Sequence, residues 1–270
     1  MALAPALFIS HGAPTLAIEP SRLGPALHRV GQNLSAKSEG AGIRAVLVVS
    51  PHWQTRGVKV MSTAAPETVH DFGGFPSELY AIQYPAKGHP ELAAQTRALL
   101  AQAGWPVSDE SRRGLDHGAW VPLLYLLPDA AVPVFQVSMP HDLTTASALA
   151  LGQALAPLRA QGVMVVGSGS MTHNLYEFRQ GSGAAADYAI EFTHWVRQRV
   201  QANDLDALVD YRARAPHAER AHPTEEHFLP LLLALGAGVS AGSGADLTVI
   251  DGGVDNGVLA MESYGWGLSN

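Results

Sequence analysis

Four apolar stretches each run into a histidine. The clearest is RAVLVVSPHW, Arg44 to Trp53, in which Val46 to Val49 form an uncharged β-branched and Leu run. Such a run predicts a strand buried on both faces, the kind found in a parallel sheet. PALFISHG leads from Pro5 to His11, VPVFQVSMPH from Val132 to His141, and VMVVGSGSMTHN from Val163 past His173. Open α/β sheets place ligands at the carboxyl ends of their strands. If these four strands are parallel, their histidines converge on one rim.

Between the strands the period changes. Leu23, Leu27, Val30 and Leu34 recur at three and four, predicting a helix over 21–37 closed by SEGAG, Ser38 to Gly42. A strand, helix, strand order implies a right-handed parallel crossover. Further helices are predicted from His89 to Gly104, with Pro90 in the first turn, and from Asp116 as cap to Pro128. Others run from Leu143 to Ala160, stopped by Gly162, and from Asp187 to Val200. Thr224 is placed to cap EEHFLPLLLALGAG, in which Pro230 predicts a kink or a later start. Val58 to Ser62 reads as a short strand, and the tail from Val249 to Gly267 as two short strands around a Gly/Asn turn. Glu67 to Gly88 has Gly, Pro and aromatics but no period, as lids and site walls do. No linker or repeat interrupts the pattern. The expectation is α/β: one domain over residues 1–270, an α/β/α sandwich around a mixed, largely parallel sheet.

Composition narrows the chemistry. The 270 residues are 47% hydrophobic and 15% charged, with a formal net charge of -7, so no electrostatic footprint for nucleic acid is expected. No stretch has membrane-spanning length and the start has no basic leader, so a cytoplasmic protein is expected. Cysteine is absent, which leaves any metal to His, Asp or Glu, and the twelve histidines direct attention there.

Familiar zinc motifs are missing. There is no H-E-x-x-H, and the G-S-G-S of Gly167 to Ser170 is neither a nucleophile elbow nor a phosphate loop. Dispersed histidines at element ends remain. Three imidazoles with open positions suit zinc or ferrous iron, and His11, His52 and His227 are the candidates. Non-haem iron more often uses two histidines and a carboxylate, so Glu225 and Glu226 stay open as substitutes, as does His222. His141 ranks lower, since Asp142 after it reads as a helix start. His28, His89, His194 and His217 read as solvated, and His70 as either lining or solvent-facing. Ser168 and Ser170 read as turn residues, and Trp53, Phe72, Phe75 and Trp120 as core or pocket wall.

FISHGAPTLAIEP, VVSPHW, HDFGGFP, YPAKGHPELA, DHGAWVPL, GSGSMTHNL and HPTEEHFLPLL occur in this order. Together they resemble the class III extradiol ring-cleavage dioxygenases, in particular the 4,5-DOPA dioxygenase-like branch, from Leu7 to about Gly267. The resemblance implies one mononuclear ion, Fe2+ or Zn2+, on His11, His52 and His227. It places the acid/base histidine at His173, a second active-site histidine at His117, and a site-facing tyrosine at Tyr264. It implies a small catechol and O2 as reactants, in a monomer or homo-oligomer. Protocatechuate-cleaving relatives use a carboxylate as third ligand where His227 stands here. Asn174 and Leu175 after His173 differ from the plant pigment-forming branch, which argues against a pigment role.

On this reading His173 accepts a catechol proton and later returns one, and His117, held by Asp116, orients substrate or oxygen. The segment around Phe72 to Phe75 walls off water. Two rivals use the same residues: a zinc hydrolase with His173 as general base, and a non-catalytic metal-binding relative.

Overall fold

The computed structural model describes residues 3–36, 42–178, 184–239 and 247–268. The apolar runs become β1 (Ala6–Ser10), β2 (Ala45–Thr55), β3 (Val58–Met61), β4 (Val107–Glu110), β5 (Val134–Pro140) and β6 (Val163–Gly169). β7 (Leu247–Ile250), β8 (Val254–Asp255), β9 (Leu259–Ala260) and β10 (Ser263–Trp266) follow. One sheet has the order β4-β3-β5-β2-β6-β1-β10-β7. Its centre, β5, β2, β6 and β1, is parallel. β3 runs antiparallel to β5, and β10 antiparallel to β1 and β7. The sheet is thus mixed and largely parallel, as the patterning implies. Every residue of β1, β5 and β6 is buried, which continuous apolar runs require.

The helices are α1 (Leu23–Ala36), α2 (Pro90–Gln102), α3 (His117–Leu126), α4 (Thr145–Leu155) and α5 (Asp187–Gln201). Three short turns of helix follow, α6 (Leu205–Val209), α7 (Tyr211–Arg214) and α8 (Ala218–Ala221), before α9 (Leu229–Val239). Adjacent residues of β6 show the layering. A Cβ on Gly167 would meet Pro230 of α9, whereas the Ser168 hydroxyl reaches Gly118 of α3. Successive strand residues point to opposite faces, so α9 and α3 cover opposite sides of the sheet. One connected apolar core runs through both layers.

Several expected boundaries move. β2 does not stop at Val49. Its register against β5 shifts between Val49 and Gln54, and the strand continues to Thr55, so His52 sits in an irregular stretch rather than after an end. Thr224 caps no helix; its hydroxyl donates to Glu226 at 3.0 Å, and α9 starts only at Leu229 with Pro230 next. The proline therefore sets the start, where a missing N–H costs nothing. The 143–160 helix divides into α4, capped by the Thr144/Ser147 box, and a 3-10 turn that ends at Gly162. Most of SEGAG lies outside the described residues. β4 and α6 to α8 carry too few residues to show a period, and β7 and β10 join the main sheet. The Gly/Asn turn is present as the β8–β9 hairpin, with Asn256 and Gly257 both at positive φ. Among the described residues no helix is long and apolar enough to cross a membrane.

Candidate metal centre

β1, β6 and β2 are neighbours, and their carboxyl ends make the floor of one site. His11 follows β1 and is held by its N–H to Gly169 O at 2.9 Å. His52 lies in the irregular end of β2, and His173 in the loop after β6, with its N–H on Ala221 O at 2.8 Å. Two more imidazoles arrive from the helices on the two faces of the sheet. His117 opens α3, and His227 lies in the turn before α9. Ser170 N–H binds His227 O, and a Cβ on Gly169 would stand 2.3 Å from that oxygen, so only glycine lets the turn approach. Gly118 does the same for α3, since a Cβ there would meet Ser50 Oγ at 2.3 Å.

The five rings form one cluster. His11 Nε2 and His52 Nε2 are 3.1 Å apart. The His227 ring centroid lies 5.5 Å from that of His11 and 5.2 Å from that of His52. His117 is 3.9 Å from His52, and His173 stacks on His227 at 3.5 Å. Donor atoms of His11, His52 and His117 all lie within 4.8 Å of one another, as do those of His173, Glu226 and His227.

Hydrogen bonds around the cluster fix which nitrogen carries the proton in three of the rings. Pro122 lies inside α3 and has no N–H for the carbonyl of Gly118. That carbonyl accepts the Ser168 hydroxyl instead, at 2.5 Å. Ser168 Oγ, its proton committed, accepts from His11 Nδ1 at 3.0 Å, so His11 Nε2 presents a lone pair. Glu226 Oε1 accepts from His227 Nδ1 at 3.0 Å, leaving His227 Nε2 a lone pair as well. Asp71 Oδ1 accepts from both the backbone N–H and Nδ1 of His117, at 2.9 and 3.0 Å. A metal-binding imidazole characteristically gives its other N–H to such an acceptor.

All the shifts favour neutral rings. Burial, with His52 and the other imidazoles adding to it, pushes His11 well below its ordinary range. Burial and then His117 lower His52 to about 4, against the carboxylates of Asp116 and Asp71. Burial followed by the charge of His173 does the same to His227, and burial lowers His173 although Glu226 opposes it. Burial raises the Asp71 carboxyl, but the bonds and charge of His117 outweigh that and bring it to about 2.

The donor set fits a divalent ion. His227 Nε2 is buried without a hydrogen-bond partner, and buried polar nitrogens are seldom left so. The facing Nε2 atoms of His11 and His52 require either a proton or a cation between them. Neutral imidazoles suit zinc or ferrous iron.

Other expected participants stand elsewhere. Tyr264, expected to face the site, donates its hydroxyl to Glu262 at 2.5 Å, stacks on Phe8 and lies tilted against Trp266. Glu225 pairs with Arg212 at 3.4 Å, and His222 is buried among Phe192, Tyr211 and Phe228. His141 is exposed after β5 and does not join the rim. Asp116 does not hold His117; its carboxylate takes Gln136 at 2.8 Å and Arg113 at 3.1 Å. Asp71 has that place, and Ser168 is a ring orienter rather than only a turn residue. The irregular segment does border the site: Phe72 meets His117 edge-on at 5.7 Å and packs with Phe75 and Tyr80.

A family model described as the catalytic LigB subunit of aromatic ring-opening dioxygenase matches residues 5–252. A Beta vulgaris protein named 4,5-DOPA dioxygenase extradiol is 38% identical over 259 residues, covering 95% of this chain and 94% of that one. A protein of the same name from Escherichia coli (strain K12) is 35% identical over 267 residues, 96% of this chain and 93% of that one. Among solved structures, the crystal structure of an uncharacterized protein from Escherichia coli K12 matches with a TM-score of 0.78 at 30% identity, covering 97% of this chain and 99% of that chain.

Proposed function

Since the chain belongs to the LigB family of aromatic ring-opening dioxygenases, we propose that it opens a DOPA-like catechol at the 4,5-extradiol bond with O2, giving a ring-opened semialdehyde. Both oxygen atoms enter the product. Residues 1–270 are taken to act as one catalytic domain, as a monomer or homo-oligomer.

His11, His52 and His227 would hold one ion, Fe2+ or Zn2+, through Nε2. Bound ferrous iron would supply neighbouring positions for the catechol oxygens and O2, so that both reactants have already lost their translational freedom. His173, neutral and stacked on His227, accepts the proton of a catechol hydroxyl and returns a proton to an oxygen derived from O2 as the ring C–C bond opens. His117 presents Nε2 to the substrate, since its Nδ1–H is committed to Asp71. Phe72 and Phe75 cover the His117 side and keep water out.

The observation that carries the reading is the buried, unpartnered Nε2 of His227, on a ring whose centroid lies 5.5 and 5.2 Å from those of His11 and His52, whose own Nε2 atoms face each other. The test is anaerobic loading with Fe2+, followed by oxygen uptake with DOPA, protocatechuate and caffeate. One O2 consumed per catechol opened is expected. Product formed equally without O2 refutes the dioxygenase reading and favours a hydrolase.

A further inference from the structure

Asp71 lies in the irregular stretch between β3 and α2, and the sequence gives it no evident task. Its two oxygens face different imidazoles. Oδ1 takes both donors of His117, while Oδ2 stands 4.0 Å from His52 Nδ1. A carboxylate has about four acceptor sites, so Oδ2 has capacity to spare.

The proton positions give that spare oxygen a purpose. His11 Nε2 is a lone pair because Ser168 holds the Nδ1 proton. His52 Nε2 faces that lone pair at 3.1 Å. An ion on His52 Nε2 takes that nitrogen's own lone pair, so the ring proton of His52 must sit on Nδ1. Nδ1–H then needs an acceptor, and Asp71 Oδ2, 4.0 Å away, is the carboxylate oxygen beside it. A shift of about 1 Å brings the pair to hydrogen-bond distance.

We propose that Asp71 is a shared positioning residue: one carboxylate that fixes the His117 ring and accepts His52 Nδ1–H when His52 Nε2 takes the ion. It rests on the ring-cleavage reading only in assuming that the histidines hold a metal. It places His117 and His52 under one control, so that substrate orientation and ion binding share an anchor.

Two measurements on the full chain test this. In the 15N-histidine spectrum of the zinc-loaded wild type, His117 is expected to carry its proton on Nδ1; a proton on Nε2 overturns the inference. Asp71→Asn is isosteric and keeps an oxygen for His117, but it places an amide N–H2 where His52 needs an acceptor. Zinc titration against a competing chelator is expected to show affinity about 10–100-fold weaker, the range for lost partners of metal ligands. Affinity equal to wild type overturns the inference. If no catechol consumes O2 while both results hold, the ring-cleavage reading fails and the role of Asp71 stands.

Discussion

Replacing Ser168 by alanine removes a single hydroxyl that serves two buried groups. It strips the acceptor from His11 Nδ1–H and the donor from Gly118 C=O. Both His11 and Gly118 are buried, so water does not readily replace either partner. A buried polar group left unpaired costs about 1–3 kcal/mol. Two such groups set a ceiling near 6 kcal/mol, and a His11 tautomer change relieves one of them, so the expected loss is about 1–3 kcal/mol. The helix cannot compensate, because Pro122 has no N–H to offer Gly118. Urea titration of the metal-free protein should show a lower midpoint at unchanged slope. Zinc affinity should fall as well, since His11 is free to protonate Nε2. Adding Pro122→Ala restores a helical donor to Gly118 and should recover part of the stability but none of the zinc affinity. An unchanged midpoint and unchanged zinc binding in Ser168→Ala would refute the relay.

Further expectations concern single side chains. His173→Ala should lower turnover by about 100- to 10,000-fold with metal content intact, measured by oxygen uptake beside metal analysis; equal loss of both refutes its acid/base role. His227→Ala should lower metal content while Glu225→Ala, whose carboxylate faces Arg212, should not. Tyr264→Phe should leave turnover unchanged, because the hydroxyl engages Glu262; a large loss would return Tyr264 to the site. Burial holds His222 at about 3, with the Met171 carbonyl opposing that shift, so this ring is neutral in the folded chain. The unfolded chain gains a proton as pH falls below about 6.5, and each pH unit down to about 3 then favours unfolding by about 1.4 kcal/mol. Its contribution is thus complete above 6.5 and lost on acidification, and His222→Leu should flatten the acid limb of a stability–pH curve.

How much of this was legible depended on range. The central strands could be read because they are buried on both faces and need continuous apolar runs. His11 and His173 follow from them directly. His52 was found for a reason only partly right, since β2 continues past it through a register shift. His141 occupies the same place after its own run, yet it is exposed, and only the Asp142 that follows it sets it apart locally. The His227 turn is readable from its neighbours, but the start of α9 depended on which of two roles Pro230 takes. What escaped was the support. Ser168 acts through Gly118 and Pro122 on another element, and Asp71 through a fold of an aperiodic segment. Such roles arise from proximity across the sheet, which neighbouring residues do not encode.

The place of β1 has a consequence for synthesis. Ala6 is flanked by Val165 on one side and Trp266 on the other. A strand emerging early from the ribosome therefore has neither neighbour until most of the chain has been translated. Its bare apolar edges, Ala6 to Ile9, would need shielding in the nascent polypeptide, because unpaired edges at this stage favour aggregation. Expression yield should then depend on chaperone supply more steeply than the stability of the finished protein would indicate.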